Sequence, residues 1–124
     1  FIDLRLDHTL ASLTAINREH SARVIILVGE IDTVVWVKGK WSCEIPVGTR
    51  LSLWPLGEQF FHSSTGLKYS LKDLTLHPLN LIGTSNETIE RKFSLHPSEN
   101  YSSRYVTIIP SKYFLNLYNS LIGE

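Results

Sequence analysis

Cysteine is nearly absent from this sequence: Cys43 stands by itself among 124 residues. A single thiol cannot close an internal disulfide, so the chain does not group with small secreted domains that offset a thin core with such bridges. A reducing, intracellular setting is the expectation. An excess of charge is missing as well. Twelve Lys and Arg balance twelve Asp and Glu, which argues against a domain devoted to neutralising a phosphate backbone and against a polybasic membrane clamp, leaving room for a local basic patch. No run of eighteen apolar residues is present, and the N-terminus lacks the basic-then-apolar layout of a signal peptide, so no membrane partner is expected. The chain opens on Phe1 rather than methionine, and the expectation is a piece of a longer protein.

Signatures of chemistry are equally scarce. The sequence has no nucleophile-elbow motif and no Gly-rich phosphate loop. The five histidines, His8, His20, His62, His77 and His96, never fall at the i, i+4 spacing of a helical metal pair or beside a Cys-x-x-Cys partner, although His77 and His96 are candidates to meet across strands. No metal, no cofactor and no catalytic residue is therefore expected, and the chain reads as a protein other than an enzyme. Asn86-Glu87-Thr88 and Asn100-Tyr101-Ser102 match the glycosylation acceptor pattern, but such triplets arise by chance and matter only in a secreted chain.

What is present is a series of short strands. With 43% apolar residues the chain can bury one modest core, and residues 1–124 are read as a single domain. The stretch from Val47 to Asn80 organises it. Leu51 and Leu53 alternate with Arg50, Ser52 and Trp54, the period of a strand with one buried face. Pro55 and Gly57 mark a turn, Phe60 and Phe61 a short second strand, and His62 to Gly66 a second turn. Leu67, Tyr69 and Leu71 lie on one parity and Leu74 and Leu76 on the other, which predicts a strand bent at Lys72-Asp73.

Before that stretch, residues 2–6 alternate as a first strand would, Leu10 to Ile16 is ambiguous between strand and helix, and 17–21 reads as a loop. Ala22 to Val28 has the composition of a central strand buried on both faces or packed under a neighbour. A second β-branched run, Thr33 to Val37, follows closely enough for a hairpin, and Lys38-Gly39-Lys40 predicts another before Trp41 to Ile45, with Gly39 free to take positive φ. After Asn80, residues 83–87 read as a polar loop, Ile89 to His96 as a strand, 97–103 as a loop and Arg104 to Ile109 as the last strand. The period then changes. Ser111 is a helix N-cap candidate, Phe114, Leu117, Tyr118 and Leu121 form an i, i+3, i+4, i+7 stripe, and Gly123 suits a C-terminus, so a helix is predicted over 111–122.

This order resembles the pleckstrin-homology-like superfold, a small bent antiparallel barrel plugged by a C-terminal helix. The resemblance runs from Val47 to Ile122 and rests on GTRLSLWPLGEQFFHSSTGLKYSLKDLTL and RYVTIIPSKYFLNLYNSL. Lipid-binding members carry basic residues through the first hairpin and the next strand; WSCEI has none, so phosphoinositide binding is not implied. Tyr118 stands where many relatives carry tryptophan. The pattern is similar to the nuclear members that dock peptides in histone chaperones, transcription factors and accessory proteins of meiotic double-strand-break formation. The expectation is a non-catalytic peptide- or helix-docking module of a nuclear complex, with Tyr113, Leu115 and Ile122 as surplus apolar residues facing a protein partner. An OB-fold is the rival barrel, with ARVIILVGEIDTVVWVKGKW as its first two strands and single-stranded nucleic acid as a secondary partner, held by Trp36, Lys38, Lys40 and Trp41, as in telomere-capping subunits.

Overall fold

A computed structural model describes residues 6–18, 24–98 and 103–122. The expected first strand falls mostly on residues outside these. Leu6 itself opens a helix instead, α1 (Leu6–Arg18), which also takes in Asn17 and Arg18 of the expected loop. Leu13 and Ile16, ambiguous by period, sit three apart on its inward side.

Nine strands follow among the described residues. They are β1 (Val24–Val28), β2 (Asp32–Val37), β3 (Trp41–Glu44), β4 (Arg50–Pro55), β5 (Gln59–Thr65), β6 (Leu74–Leu76), β7 (Gly83–Glu87), β8 (Lys92–Pro97) and β9 (Tyr105–Pro110). All pairings are antiparallel and make two sheets, β1-β2-β9-β4-β7 and β3-β8-β5-β6. The protein is thus antiparallel β with a C-terminal helix, as expected, but its strands do not close into a barrel. Neither the pleckstrin-homology-like nor the OB arrangement is formed, because β3, β4 and β5 do not pair as successive neighbours: β4 belongs to the larger sheet while β3 and β5 belong to the smaller. Alternation along a strand reports which face is buried, not which strand lies beside it.

The two sheets face each other across one core. Val35 and Val37 of β2, Leu51 and Leu53 of β4, and Tyr105 and Ile109 of β9 meet Trp41 and Cys43 of β3, Phe61 of β5, Leu76 of β6, and Phe93 and Leu95 of β8. Phe61 packs edge-on to Tyr105, and Trp41 edge-on to Phe93. The alternate residues of the larger sheet, Ile25, Leu27, Val34, Trp36, Val106 and Ile108, point the other way and are covered by Leu13 and Ile16 of α1. That second apolar face explains why Val24–Val28 is so uniformly hydrophobic. It marks not a central strand but an edge strand whose residues are all half-buried, from one side by the core and from the other by the helix.

The β1–β2 hairpin forms as predicted. The Lys38-Gly39-Lys40 turn does not make a hairpin: it carries the chain from one sheet to the other, with Gly39 at φ 87°. After β9, one 3₁₀ turn (Ser111–Tyr113) leads into α2 (Phe114–Ile122). Pro110 rather than Ser111 occupies the cap position, and the Ser111 hydroxyl instead donates to the Gly29 carbonyl at 2.8 Å and lies 2.8 Å from Thr33 Oγ1. Leu117 of α2 is fully buried, Tyr113 and Leu121 pack beside it, and the Trp41 indole N–H donates to Ser120 Oγ at 2.9 Å. Gly123, His20 and Asn100 lie outside the described residues.

Candidate functional site

The residues singled out by sequence pattern do not converge. Trp36 is buried under α1 and its indole N–H donates to the Ser103 carbonyl at 3.1 Å. Trp41 is buried on the opposite side, inside the core. Neither indole offers a face to a base. Lys38 and Lys40 are exposed and flank a shallow pocket of about 150 Å³ with Ser42, Val24 and Leu121. Tyr113, in the 3₁₀ turn before α2, packs partly buried against the core, while Leu115 and Ile122 of α2 face solvent. His77 and His96 do not pair: His77 Nδ1 accepts from the Leu79 amide at 3.0 Å, and His96 Nε2 lies 3.0 Å from Ser94 Oγ. Burial pushes the Cys43 thiol above its usual range, so this cysteine is a packed apolar group rather than a nucleophile. Among the described residues, no cluster of three or more His, Cys, Asp or Glu is placed to hold a metal ion.

A different place gathers unusual features. Segment 66–71 leaves β5 through Gly66, at φ 76°, where a side chain would collide with the Lys92 carbonyl. It then runs beside β7 and its continuation. Leu67 bridges Thr88, the Lys68 amide donates to the Glu87 carbonyl at 2.8 Å, and the Ile89 amide donates to the Gly66 carbonyl at 2.9 Å. Leu67 and Leu71 are buried, but Tyr69, expected on their side, is 59% exposed. The regular strand has ended, so strict alternation no longer applies.

Beneath Tyr69 lies Asn86. This side chain is 4% exposed. Its Oδ1 accepts from the Tyr69 amide at 3.0 Å and from the Glu87 amide at 2.8 Å, and its Nδ2 donates to the Tyr69 carbonyl at 2.8 Å. Both backbone groups of Tyr69 are thereby held by one amide. Asn86 reaches this position through an irregularity in β7: Leu51 pairs with Asn86 but Leu53 pairs with Gly83, so β7 carries one extra residue, and Ser85 takes φ 63°. The Ser85 amide is satisfied by Ser52 Oγ at 3.0 Å. Thr84, Ser85 and Glu87 remain exposed along the same strand. Lys68 Nζ sits 5.5 Å from the centre of the Tyr69 ring. The result is a backbone ledge, tied down by Asn86, that bears an exposed aromatic ring and runs beside a strand on which Thr84, Ser85 and Glu87 are exposed.

This ledge lies inside the segment that known proteins share. Residues 43–98, a little under half of the chain, match the family model described as thiamin pyrophosphokinase, vitamin B1 binding domain. Solved structures agree. Thiamin pyrophosphokinase from Bacillus subtilis superposes with a TM-score of 0.64 at 20% identity, covering 86% of this chain and 50% of that one. The Candida albicans enzyme gives 0.65 at 18% identity, over 86% of this chain and 40% of that one. The yeast enzyme gives 0.64 at 15% identity, over 88% and 37%. The fold is shared with thiamin pyrophosphokinases. The chain spans half or less of the length of these three structures. A search of curated protein sequences gave no match.

These matches correct the expectations drawn from pattern. The likeness to nuclear docking modules is overturned, and with it the peptide-docking role and its chromatin, transcription and meiotic settings; the single-stranded nucleic-acid alternative gains no support either. The expectation of a protein other than an enzyme is overturned too, by the match of residues 43–98 to the vitamin B1 binding domain of thiamin pyrophosphokinase. The ledge is hidden from pattern, because alternation puts Tyr69 on the core side with Leu67 and Leu71 and composition makes 83–87 a loop. A usable signal did exist: Gly66 and the Thr84-Ser85-Asn86 run are residue types that favour positive φ and side-chain-to-backbone bonds.

Proposed function

We propose that the protein binds thiamine, vitamin B1, on the Tyr69 ledge, as the vitamin-holding part of a thiamin pyrophosphokinase-type activity. The observation that carries this reading is that the vitamin B1 binding match takes in the segment where exposed Tyr69 has both its backbone groups held by the buried side chain of Asn86. Thiamine joins a flat aminopyrimidine to a cationic thiazolium. A tyrosine face suits either ring, by stacking or by attraction of the cation to the π-cloud. The hydroxyls of Thr84 and Ser85 are available to the ring nitrogens and amino group, and Glu87 supplies negative charge on the same strand. In this reading the chain holds the acceptor, and transfer of the pyrophosphoryl group depends on what the longer matched enzymes carry beyond the shared half.

Calorimetric titration with thiamine tests it. Tyr69→Ala is expected to weaken binding about tenfold, the loss of roughly 1.5 kcal/mol of ring contact, while Tyr69→Trp keeps or improves it. Equal affinity in all three forms would remove Tyr69 from the site.

A further inference from the structure

We infer that Asn86 is a positioning residue, which sets the height and direction of the Tyr69 ring through the backbone rather than by touching a ligand. The inference rests on the vitamin-binding reading and assigns a role within the same site. Two local costs converge on this one backbone unit. A non-glycine residue, Ser85, is held at φ 63°, in a region that persists only where the surroundings enforce it. A primary amide, Asn86, is withdrawn from water, which is tolerated only with its hydrogen bonds made. Both are explained if the bulge in β7 exists to turn Asn86 inward against Tyr69. The amide there acts as a strand partner would, taking the N–H and supplying a donor to the C=O of one residue. Among the described residues no strand pairing holds Tyr69; its backbone is held by the side chain of Asn86 while its own side chain stays in solvent. The rival role is plain edge protection, in which segment 66–71 simply covers β7, flanked by the Leu67–Thr88 bridge.

Amide hydrogen exchange and thiamine titration on Asn86→Ala separate these roles. A positioning role predicts exchange at the Tyr69 amide at least about a hundredfold faster, unchanged protection in β8 and β9, and at least about tenfold weaker thiamine binding. Should Asn86→Ala fail to fold, Asn86→Asp takes its place: it keeps the acceptor for the Tyr69 amide but sets a carboxylate against the Tyr69 carbonyl, and weaker binding with that amide still protected is the expected result. Wild-type affinity in the folded variant would overturn the inference while leaving the vitamin reading intact. Parallel loss of protection in β8 and β9 would also overturn it, by making Asn86 a general support of the fold. If even the wild-type protein ignores thiamine, the proposed function fails, and the inference is decided by exchange: acceleration confined to 67–70 supports the clamp, and an unchanged Tyr69 amide sinks it.

Discussion

Ser85 and Tyr105 show two ways in which a single residue departs from what the fold would choose by itself. At Ser85 the departure is conformational. Replacing it with glycine removes the steric cost of φ 63° and is expected to stabilise the protein by about 0.5–1 kcal/mol, read from the urea midpoint. If thiamine binding falls in the same variant, the hydroxyl belongs to the site. At Tyr105 the departure is polar. The ring is buried against Phe61, and its hydroxyl has no hydrogen-bond partner, so burial raises its pKa far above the ordinary value. The sign follows from linkage: the unfolded chain releases this proton at about pH 10 and the folded chain only well above it, so this contribution to stability is intact below pH 10 and is lost as pH rises beyond. Tyr105→Phe is expected to flatten that alkaline loss and, having no hydrogen bond to break, to leave stability at neutral pH within about 1 kcal/mol of wild type. Urea titrations at pH 7 and pH 10.5 check both points. Neither residue was legible as special in sequence, because serine and tyrosine occur in strands for many ordinary reasons. Only the bulge and the closing of two sheets over β9 make them unusual.

Helix α2 is the element the pattern described best. Its stripe placed Leu117 at the centre, and Leu117 is fully buried beside β3. Leu117→Ala should cost about 2–5 kcal/mol, measured by thermal or urea unfolding, whereas Leu115→Ala, 68% exposed, should cost little. Tyr118, counted in the same stripe, is 43% exposed and stacks on Phe114 instead, because α2 meets the sandwich along a narrower line than its apolar width. Strands β2, β4, β8 and β9 were also readable, each from β-branched or alternating residues with one core face. β5 is legible only in its first half, since 62–65 reads as a turn but is strand, and two elements are not legible at all. Leu6–Arg18 pairs so little apolar surface with so much exposed surface that its helical period is faint, and its apolar contribution to the sheet face comes from Leu13 and Ile16. Gly83–Glu87 contains no apolar residue at all; it is a strand because β4 pairs with it and Asn86 finds buried partners. Local propensity could not reveal either, since tertiary contacts decide both.

At the scale of the whole molecule, balanced charge and the lack of a catalytic motif do not decide between classes of function. A domain that holds one small ligand on a ledge needs neither a basic surface nor a nucleophile, and composition cannot distinguish it from a docking module. The fold places the ledge where the β5–β6 connection passes along β7, an edge strand of the larger sheet, so ligand chemistry can sit there without disturbing the core between the sheets. Residue-resolved NMR during a thiamine titration tests this most directly. The account predicts that shifts concentrate in 66–70 and 83–87 and leave the Lys38–Trp41 turn and α1 unmoved. Shifts centred on that turn or on α2, or none at saturating thiamine, would contradict it.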